Sequence, residues 1–103
     1  MIKVSVLYPN SPGSSFDMSY YLTRHMPMVG ERLGAACKNI AVEQGMGSLP
    51  PGSAAPYSAM CHLSFESVQA FEAAFAVHGD AIVADIPNYT NVQPVIQISD
   101  VKM

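Results

Sequence analysis

The residues best suited to chemistry in this 103-residue chain are His25 and Tyr21. They lie four positions apart, so on a helix the imidazole and the phenol are neighbours. A histidine exchanges a proton near neutral pH, and a phenol can donate a hydrogen bond to an oxygen that becomes negative. At about 100° per residue, His25 borders an apolar stripe formed by Met18, Leu22, Met26, Val29 and Leu33. We therefore predict that His25 and Tyr21 are a catalytic pair at the rim of a core pocket.

Four further side chains are predicted to be substrate-binding residues of that pocket. Tyr20 can donate another hydrogen bond, and Tyr8 and Phe16 flank the loop that leads into the helix. His62 belongs to this set if its face of a strand lines the interior of the fold. We expect the pocket between the first helix and the sheet, at the Tyr8 end of the first strand.

Structural roles compete with these assignments. Pro27 has no N–H, so the carbonyl of Thr23 loses its helical partner, and His25 can serve only to cap a carbonyl released there. Paired tyrosines on a helix are more often amphipathic packing. Asp17 can orient His25, but the cap of the first helix is the stronger interpretation.

Four strands are predicted from alternating apolar and polar residues, over residues 2–8, 40–44, 57–65 and 93–101. A first helix runs from the Asp17 cap to about residue 36, with a kink before Pro27. A second helix begins at Ser67 and ends at Gly79, and Asp80 caps a short extra turn. Residues 45–56 are rich in glycine and proline and form a long loop.

The predicted order β-α-β-β-α-β is typical of the ferredoxin-like α+β fold, a four-stranded antiparallel sheet with two helices on one face. The length suits a single domain over residues 1–103. The other face of the sheet is left uncovered. Only 13% of the residues are charged, about half the usual share, while 50% are hydrophobic. We therefore predict a homodimer in which two such sheets meet.

Charge and motifs exclude several classes of function. A net charge of −3 with five scattered basic residues does not fit a nucleic-acid or membrane-surface protein, and no apolar run is long enough for a membrane span. No metal or redox cofactor is predicted, because the chain has no metal-ligand cluster and no phosphate-binding glycine motif. Cys37 and Cys61 are predicted to be reduced thiols of a cytoplasmic protein.

Several motifs resemble those of the EthD family, which is named for ethyl tert-butyl ether degradation. They are the strand ending in Tyr8-Pro9, the run Phe16-Asp17-x-x-Tyr20-Tyr21-x-x-x-His25-x-Pro27-x-Val29, and the final Asn91-Val92-x-Pro94. The resemblance spans nearly the whole chain. It implies a dimeric α+β barrel and an association with oxidative degradation.

Three functions follow from these observations. The first is a small dimeric enzyme that transfers a proton, at His25, on a small and mostly apolar carbonyl or phenolic compound. The second is a protein that binds such an apolar or aromatic molecule and delivers it to an oxygenase without catalysis. The third is a haem-handling oxygenase of the same barrel superfamily, with a histidine as axial ligand.

Overall fold

Strands and helical stretches alternate along the chain in the computed structural model, which describes residues 1–103. The strands are β1 (Ile2–Pro9), β2 (Asn39–Gln44), β3 (Tyr57–Phe65) and β4 (Val95–Asp100). The first helical stretch joins α1 (Met18–Tyr20), a π-helical segment (Tyr21–His25), α2 (Met26–Leu33) and a 3₁₀ turn (Gly34–Ala36). The second is α3 (Val68–Ala84), followed by a 3₁₀ turn (Ile86–Asn88). The predicted β-α-β-β-α-β order is confirmed.

One antiparallel sheet contains all four strands, in the order β2-β3-β1-β4. β1 lies between β3 and β4, and its register sets Tyr8 opposite Ala59 and Leu7 opposite both Met60 and Val95. This strand order, with both helical stretches packed on one face, is the ferredoxin-like α+β arrangement. Residues 45–56 form the predicted loop, which contains one isolated bridge between Ser48 and Ser53.

The two faces of the sheet differ sharply in burial. Alternate residues of β1 and β3 face the helices and form most of the core: Ile2, Val4, Tyr8, Ala59, Cys61, Leu63 and Phe65. The residues between them lie on the other side, which no element covers. We call that side the open face; its residues are Lys3, Ser5, Leu7, Asn39, Ala41, Glu43, Ser58, Met60, His62, Ser64, Val95, Gln97 and Ser99.

A widened helical turn lies where the kink was predicted. The N–H of Met26 bonds the carbonyl of Tyr21, five residues back, because the ladder is already interrupted by the missing donor of Pro27. The extra residue in the turn rotates the buried face. Tyr21 and His25 are 1% and 3% exposed, whereas Leu22 is 50% exposed. The predicted stripe was therefore wrong at Leu22, and His25 lies inside the core and not at its rim.

Helix α3 continues five residues beyond Gly79, so the predicted helix end at that glycine was wrong, as was the extra turn capped by Asp80. Gly79 is buried, and a Cβ added there would lie 2.6 Å from the Phe75 ring. Close packing of that ring, and not a helix stop, accounts for the glycine. The Ser67 cap was correct, since its hydroxyl accepts from the N–H of Ala70. No helix in the structure combines the length and apolarity needed to cross a membrane.

Candidate functional site

A cavity of about 100 Å³ lies between the helices and the sheet. Its wall is almost entirely apolar, built from aliphatic residues of the strands and helices and from Phe71 and Phe75. Four of the lining residues carry a polar group: Tyr8, Tyr21, His25 and Cys61. An enclosed apolar space with a few convergent polar groups is typical of a small-molecule site.

The cavity meets the solvent near the C-terminal end of α3. An outer depression of about 460 Å³ shares four of the cavity's lining residues: Val83, Ile86, Pro94 and Ile96. Two of the four, Val83 and Ile96, are more than half exposed. This side, between α3 and the edge strand β4, is therefore the route by which a ligand can reach the cavity.

His25 is held by hydrogen bonds at both ring nitrogens. Its Nδ1 lies 2.9 Å from Oδ2 of Asp85, and its Nε2 lies 3.4 Å from the hydroxyl of Tyr89. The Tyr89 hydroxyl is in turn 2.7 Å from that of Tyr8, which lines the cavity. A continuous chain therefore links Asp85, His25, Tyr89 and Tyr8. The alternative in which His25 caps a backbone carbonyl was wrong, because its partners are side chains.

Asp85 is fixed by three donors. The Tyr20 hydroxyl donates to its Oδ1 at 2.7 Å, the Asn88 amide donates to the same atom at 2.9 Å, and His25 donates to Oδ2. Burial alone would raise the pKa of Asp85, but these three hydrogen bonds together outweigh burial and lower it. Asp85 is thus a carboxylate at neutral pH, and it selects the His25 tautomer that carries its proton on Nδ1.

Burial controls the protonation of His25. Removal of the ring from water lowers the pKa of His25, and this effect is larger than the opposing influence of the Asp85 carboxylate. The ring is therefore neutral at pH 7, and its Nε2 is an acceptor for the Tyr89 hydroxyl. A neutral, oriented imidazole is the form that a general base requires.

Tyr21 and Cys61 contribute groups that stay protonated. Burial raises the pKa of the Tyr21 phenol far above its usual range, and the nearby Cys61 and Tyr8 raise it further. Burial also raises the pKa of the Cys61 thiol to about 11. Tyr21 is therefore a neutral phenol that can donate a hydrogen bond, and Cys61 is a thiol and not a nucleophilic thiolate.

The structure distributes the predicted site residues over three places. Tyr8, Tyr21 and His25 line the cavity together. Phe16 and Tyr20 stand behind it: the Phe16 ring packs edge-on against Tyr8 and Tyr21, and the Tyr20 hydroxyl holds Asp85. His62 lies on the open face, where its Nδ1 is 2.8 Å from the Ser5 hydroxyl and its Nε2 is 3.2 Å from Glu43. Asp17 caps α1 and does not contact His25.

Two residues of the site were missed by the sequence analysis, Asp85 and Tyr89. Asp85 lies in the predicted short turn, which ends before Pro87, and Tyr89 lies in a stretch for which no element is predicted. One signal for Asp85 was present. An acidic residue at the C-terminal end of a helix interacts unfavourably with the helix dipole, so its presence there indicates a role other than stabilising the helix. No three histidine, cysteine or acidic side chains come together as metal ligands.

Comparison with known proteins gives a consistent result. A model described as the EthD domain matches residues 14–93. An EthD-like protein from Ralstonia eutropha JMP134 is 46% identical, with a TM-score of 0.94, over 99% of this chain and 92% of that one. No curated protein sequence is significantly similar to the chain.

Two more distant structures share the fold. An ethyl tert-butyl ether (EthD) family protein from Bacillus halodurans C-125 is 18% identical, with a TM-score of 0.78, over 99% of each chain. HapK from Hahella chejuensis is 12% identical, with a TM-score of 0.60, over 100% of this chain and 95% of that one. At these identities the likeness concerns the fold alone.

Proposed function

The chain belongs to the EthD family, and on that premise we propose that it is a small homodimeric enzyme of a degradative or oxidative pathway. It binds a small, mostly apolar compound in the cavity and transfers a proton at His25. The observation that carries the proposal is a neutral, buried histidine, oriented by Asp85, at the polar part of an otherwise apolar cavity.

The ligand class follows from the wall of the cavity. Apolar side chains favour an apolar body, and a volume of about 100 Å³ limits it to a compact ring or a short branched chain. The hydroxyl of Tyr21 supplies a donor for one oxygen. A small ketone or phenol, with its oxygen directed to Tyr21, satisfies both requirements.

The proton-transfer role rests on the state of His25. A neutral imidazole can accept a proton, and the adjacent Asp85 carboxylate stabilises the imidazolium that results. The Tyr21 phenol, which resists ionisation, stabilises the oxygen that becomes negative. These are the roles that the sequence analysis predicts for the two residues.

A second candidate function is binding and delivery to an oxygenase without catalysis. One observation favours it: both nitrogens of His25 already have partners within the protein. In that case the hydrogen-bonded chain stabilises the core, and the ligand is only enclosed.

The residues do not fit a haem. An axial ligand needs a histidine nitrogen free to reach iron, and neither nitrogen of His25, the one histidine that lines the cavity, is free. A cavity of about 100 Å³ is also much smaller than a porphyrin. We therefore assign no step of the proposed reaction to haem.

Dimerisation is proposed through the open face. Its only charged residues are Lys3 and Glu43, and a row of apolar side chains crosses it where Val95, Leu7 and Met60 are paired. A face of this composition buries well against its own copy. Two unpaired cysteines, Cys37 and Cys61, support a cytoplasmic location.

Binding is tested with 4-fluorophenol, a compact phenol whose ¹⁹F resonance reports both binding and ionisation. We expect saturable binding. We expect Val83→Trp to lower the association rate of the ligand about tenfold or more, because the larger side chain closes the shared entrance. The matched control is Val77→Trp, on a side chain of the same helix that is 74% exposed and does not line the cavity. Absence of binding, or equal effects of the two variants, would contradict the proposed site.

Catalysis is tested by exchange of the α-protons of cyclopentanone with D₂O, followed by ¹H NMR. Loss of a general base lowers a rate by about 10²-fold or more, so we expect that loss in His25→Gln. Glutamine keeps a hydrogen bond but cannot titrate. Binding of 4-fluorophenol without any His25-dependent exchange would overturn the enzymatic role and leave the delivery role.

A further inference from the structure

Resting on the proposed proton transfer at His25, we propose that the imidazole does not contact the reacting atom. Tyr8 is the residue that exchanges the proton with the ligand, and Tyr89 carries it between Tyr8 and His25. The ligand class is then a small ketone or its enol, bound with its acidic proton at the Tyr8 hydroxyl. Tyr8 is then a catalytic residue, and Tyr89 is a relay between Tyr8 and His25.

Geometry is the first support. With Nδ1 bound to Asp85 and Nε2 directed at Tyr89, His25 presents only ring carbons to the cavity. Tyr89 is not among the residues that line the cavity, whereas Tyr8 is. Tyr8 is thus the residue through which the hydrogen-bonded chain reaches the ligand.

Donor and acceptor directions give the second support. With His25 neutral and protonated at Nδ1, its Nε2 can only accept, so the Tyr89 hydroxyl donates to it. The Tyr89 oxygen then accepts from the Tyr8 hydroxyl at 2.7 Å. The Tyr8 oxygen then has two lone pairs: one can accept from the neighbouring Tyr21 hydroxyl, and the other can take a proton from the ligand. The contact between Tyr89 and His25 is long, 3.4 Å, as catalytic hydrogen bonds often are before substrate binds.

The reaction consists of three linked proton transfers, from the ligand to Tyr8, from Tyr8 to Tyr89 and from Tyr89 to His25. A Cα–H bond of the ketone breaks and its proton moves to the Tyr8 oxygen, while the original Tyr8 proton moves to Tyr89 and the Tyr89 proton moves to Nε2 of His25. The electron pair of the broken bond forms the enolate, whose oxygen is held by the Tyr21 hydroxyl. Both relay tyrosines end as neutral phenols, and the positive charge rests on His25 beside Asp85.

The protonation of the relay residues fits this sequence. Burial raises the pKa of Tyr8 and of Tyr89, so neither is a stable phenolate at neutral pH. The titratable groups that face His25 are Tyr21 on its own helical stretch and Asp85 and Tyr89 from the segment after α3. Only Asp85 among them is charged, and it favours the imidazolium.

The test compares α-proton exchange of cyclopentanone in three Tyr→Phe variants. Tyr89→Phe and Tyr8→Phe remove one hydroxyl each and keep the ring, and we expect both to lower exchange about 10²-fold, as His25→Gln does. Tyr57→Phe is the matched control, on a half-buried tyrosine outside the cavity, and should leave exchange unchanged. Melting temperatures show that each variant is folded.

A pH profile separates a relay from a purely structural role. In the wild type, the exchange rate should fall as the pH is lowered through the folded-state pKa of His25, which lies below its usual value. In Tyr89→Phe, NMR should show that His25 still titrates, while the residual exchange no longer depends on it. Exchange in Tyr89→Phe that stays fast and follows His25 would overturn the relay and leave direct transfer by His25. If His25→Gln itself retains exchange, the proposed function fails, independently of the relay.

Discussion

Asp85 and His25 are joined by a hydrogen bond of 2.9 Å between Oδ2 and Nδ1, although 60 residues separate them in the sequence. The bond ties the end of α3 to the π-helical turn of the first helical stretch. Because the imidazole is 3% exposed, its orientation depends on this carboxylate and not on solvent. The pair therefore sets which nitrogen of His25 carries the proton.

Replacement of Asp85 by asparagine tests that dependence. The carboxylate favours the charged form of His25, so Asp85→Asn should lower the pKa of His25 further. Hydrogen bonds to a charged group contribute about 1.5–3 kcal/mol, so the free energy of unfolding at pH 7 should fall by a similar amount. NMR titration of the imidazole and urea unfolding give the two values.

Asp80→Asn is the control for that experiment. Asp80 is an exposed residue of the same helix and has no ion pair or side-chain hydrogen bond in the structure. It should leave both quantities unchanged. A His25 pKa that rises in Asp85→Asn would contradict the assigned interaction.

The burial of His25 predicts how stability depends on pH. Its folded-state pKa lies below the ordinary value of about 6.5, so below that pH the unfolded chain binds a proton more readily than the folded chain. Wild-type stability should therefore fall as the pH is lowered from 7 to 5, by at most about 1.4 kcal/mol per pH unit for one proton. His25→Gln removes this group and should flatten the profile. Equal slopes in the two proteins would contradict the assignment.

Asp85 acts in a different range of pH. Its lowered pKa gives stability that is present above the ordinary carboxyl pKa and is lost only as the pH falls through the lower folded value. Measurements between pH 5 and 7 therefore separate the contribution of His25 from that of Asp85.

The open face predicts a dimer. Sedimentation at micromolar concentration should give twice the 11.0 kDa chain mass. Leu7→Glu should yield the monomer, because it sets a charge in the middle of the apolar row with Met60 and Val95. Val77→Glu adds the same charge at an exposed position of α3 and should leave the dimer intact. A wild-type monomer would overturn the proposed interface.

The fold was predictable from the sequence because strand alternation and helix caps are local signals. β3 was placed at both ends, and Ser67 and Asp17 act as the predicted caps. The local pattern failed at Leu22, since an α-helical period cannot anticipate a π turn. It failed again at Gly79, where the reason for glycine is a ring contact within the folded helix.

The site was predictable only in part, because its second half comes from a distant segment. Tyr21 and His25 are four residues apart and could be paired by helical spacing. Asp85 and Tyr89 approach them only when α3 packs on the sheet, and no spacing rule connects residue 25 with residue 85. The sequence predicts the position of Tyr8 at the end of β1. It gives no signal that pairs Tyr8 with Tyr89, so the proposed relay cannot be predicted from it.

Gly79 gives a prediction about both stability and binding. Alanine is a better helix former than glycine by about 1 kcal/mol, yet a Cβ at this position would lie 2.6 Å from the Phe75 ring. Overpacking of this kind costs about 1–3 kcal/mol, so we expect Gly79→Ala to lose about 1 kcal/mol of stability. Phe75 lines the cavity, and displacement of its ring should also weaken 4-fluorophenol binding.

Gly30→Ala is the matched comparison for that substitution. Gly30 lies in α2, has no positive φ, and an added Cβ would meet only Ile40 Cδ1 at 3.6 Å, an ordinary contact. Helix propensity should therefore dominate, and the variant should gain up to about 1 kcal/mol while it binds 4-fluorophenol normally. Urea unfolding measures the stability of both variants, and ¹⁹F titration measures their binding of 4-fluorophenol. If Gly79→Ala gains stability as Gly30→Ala does, close packing of Phe75 is not the reason for glycine at position 79.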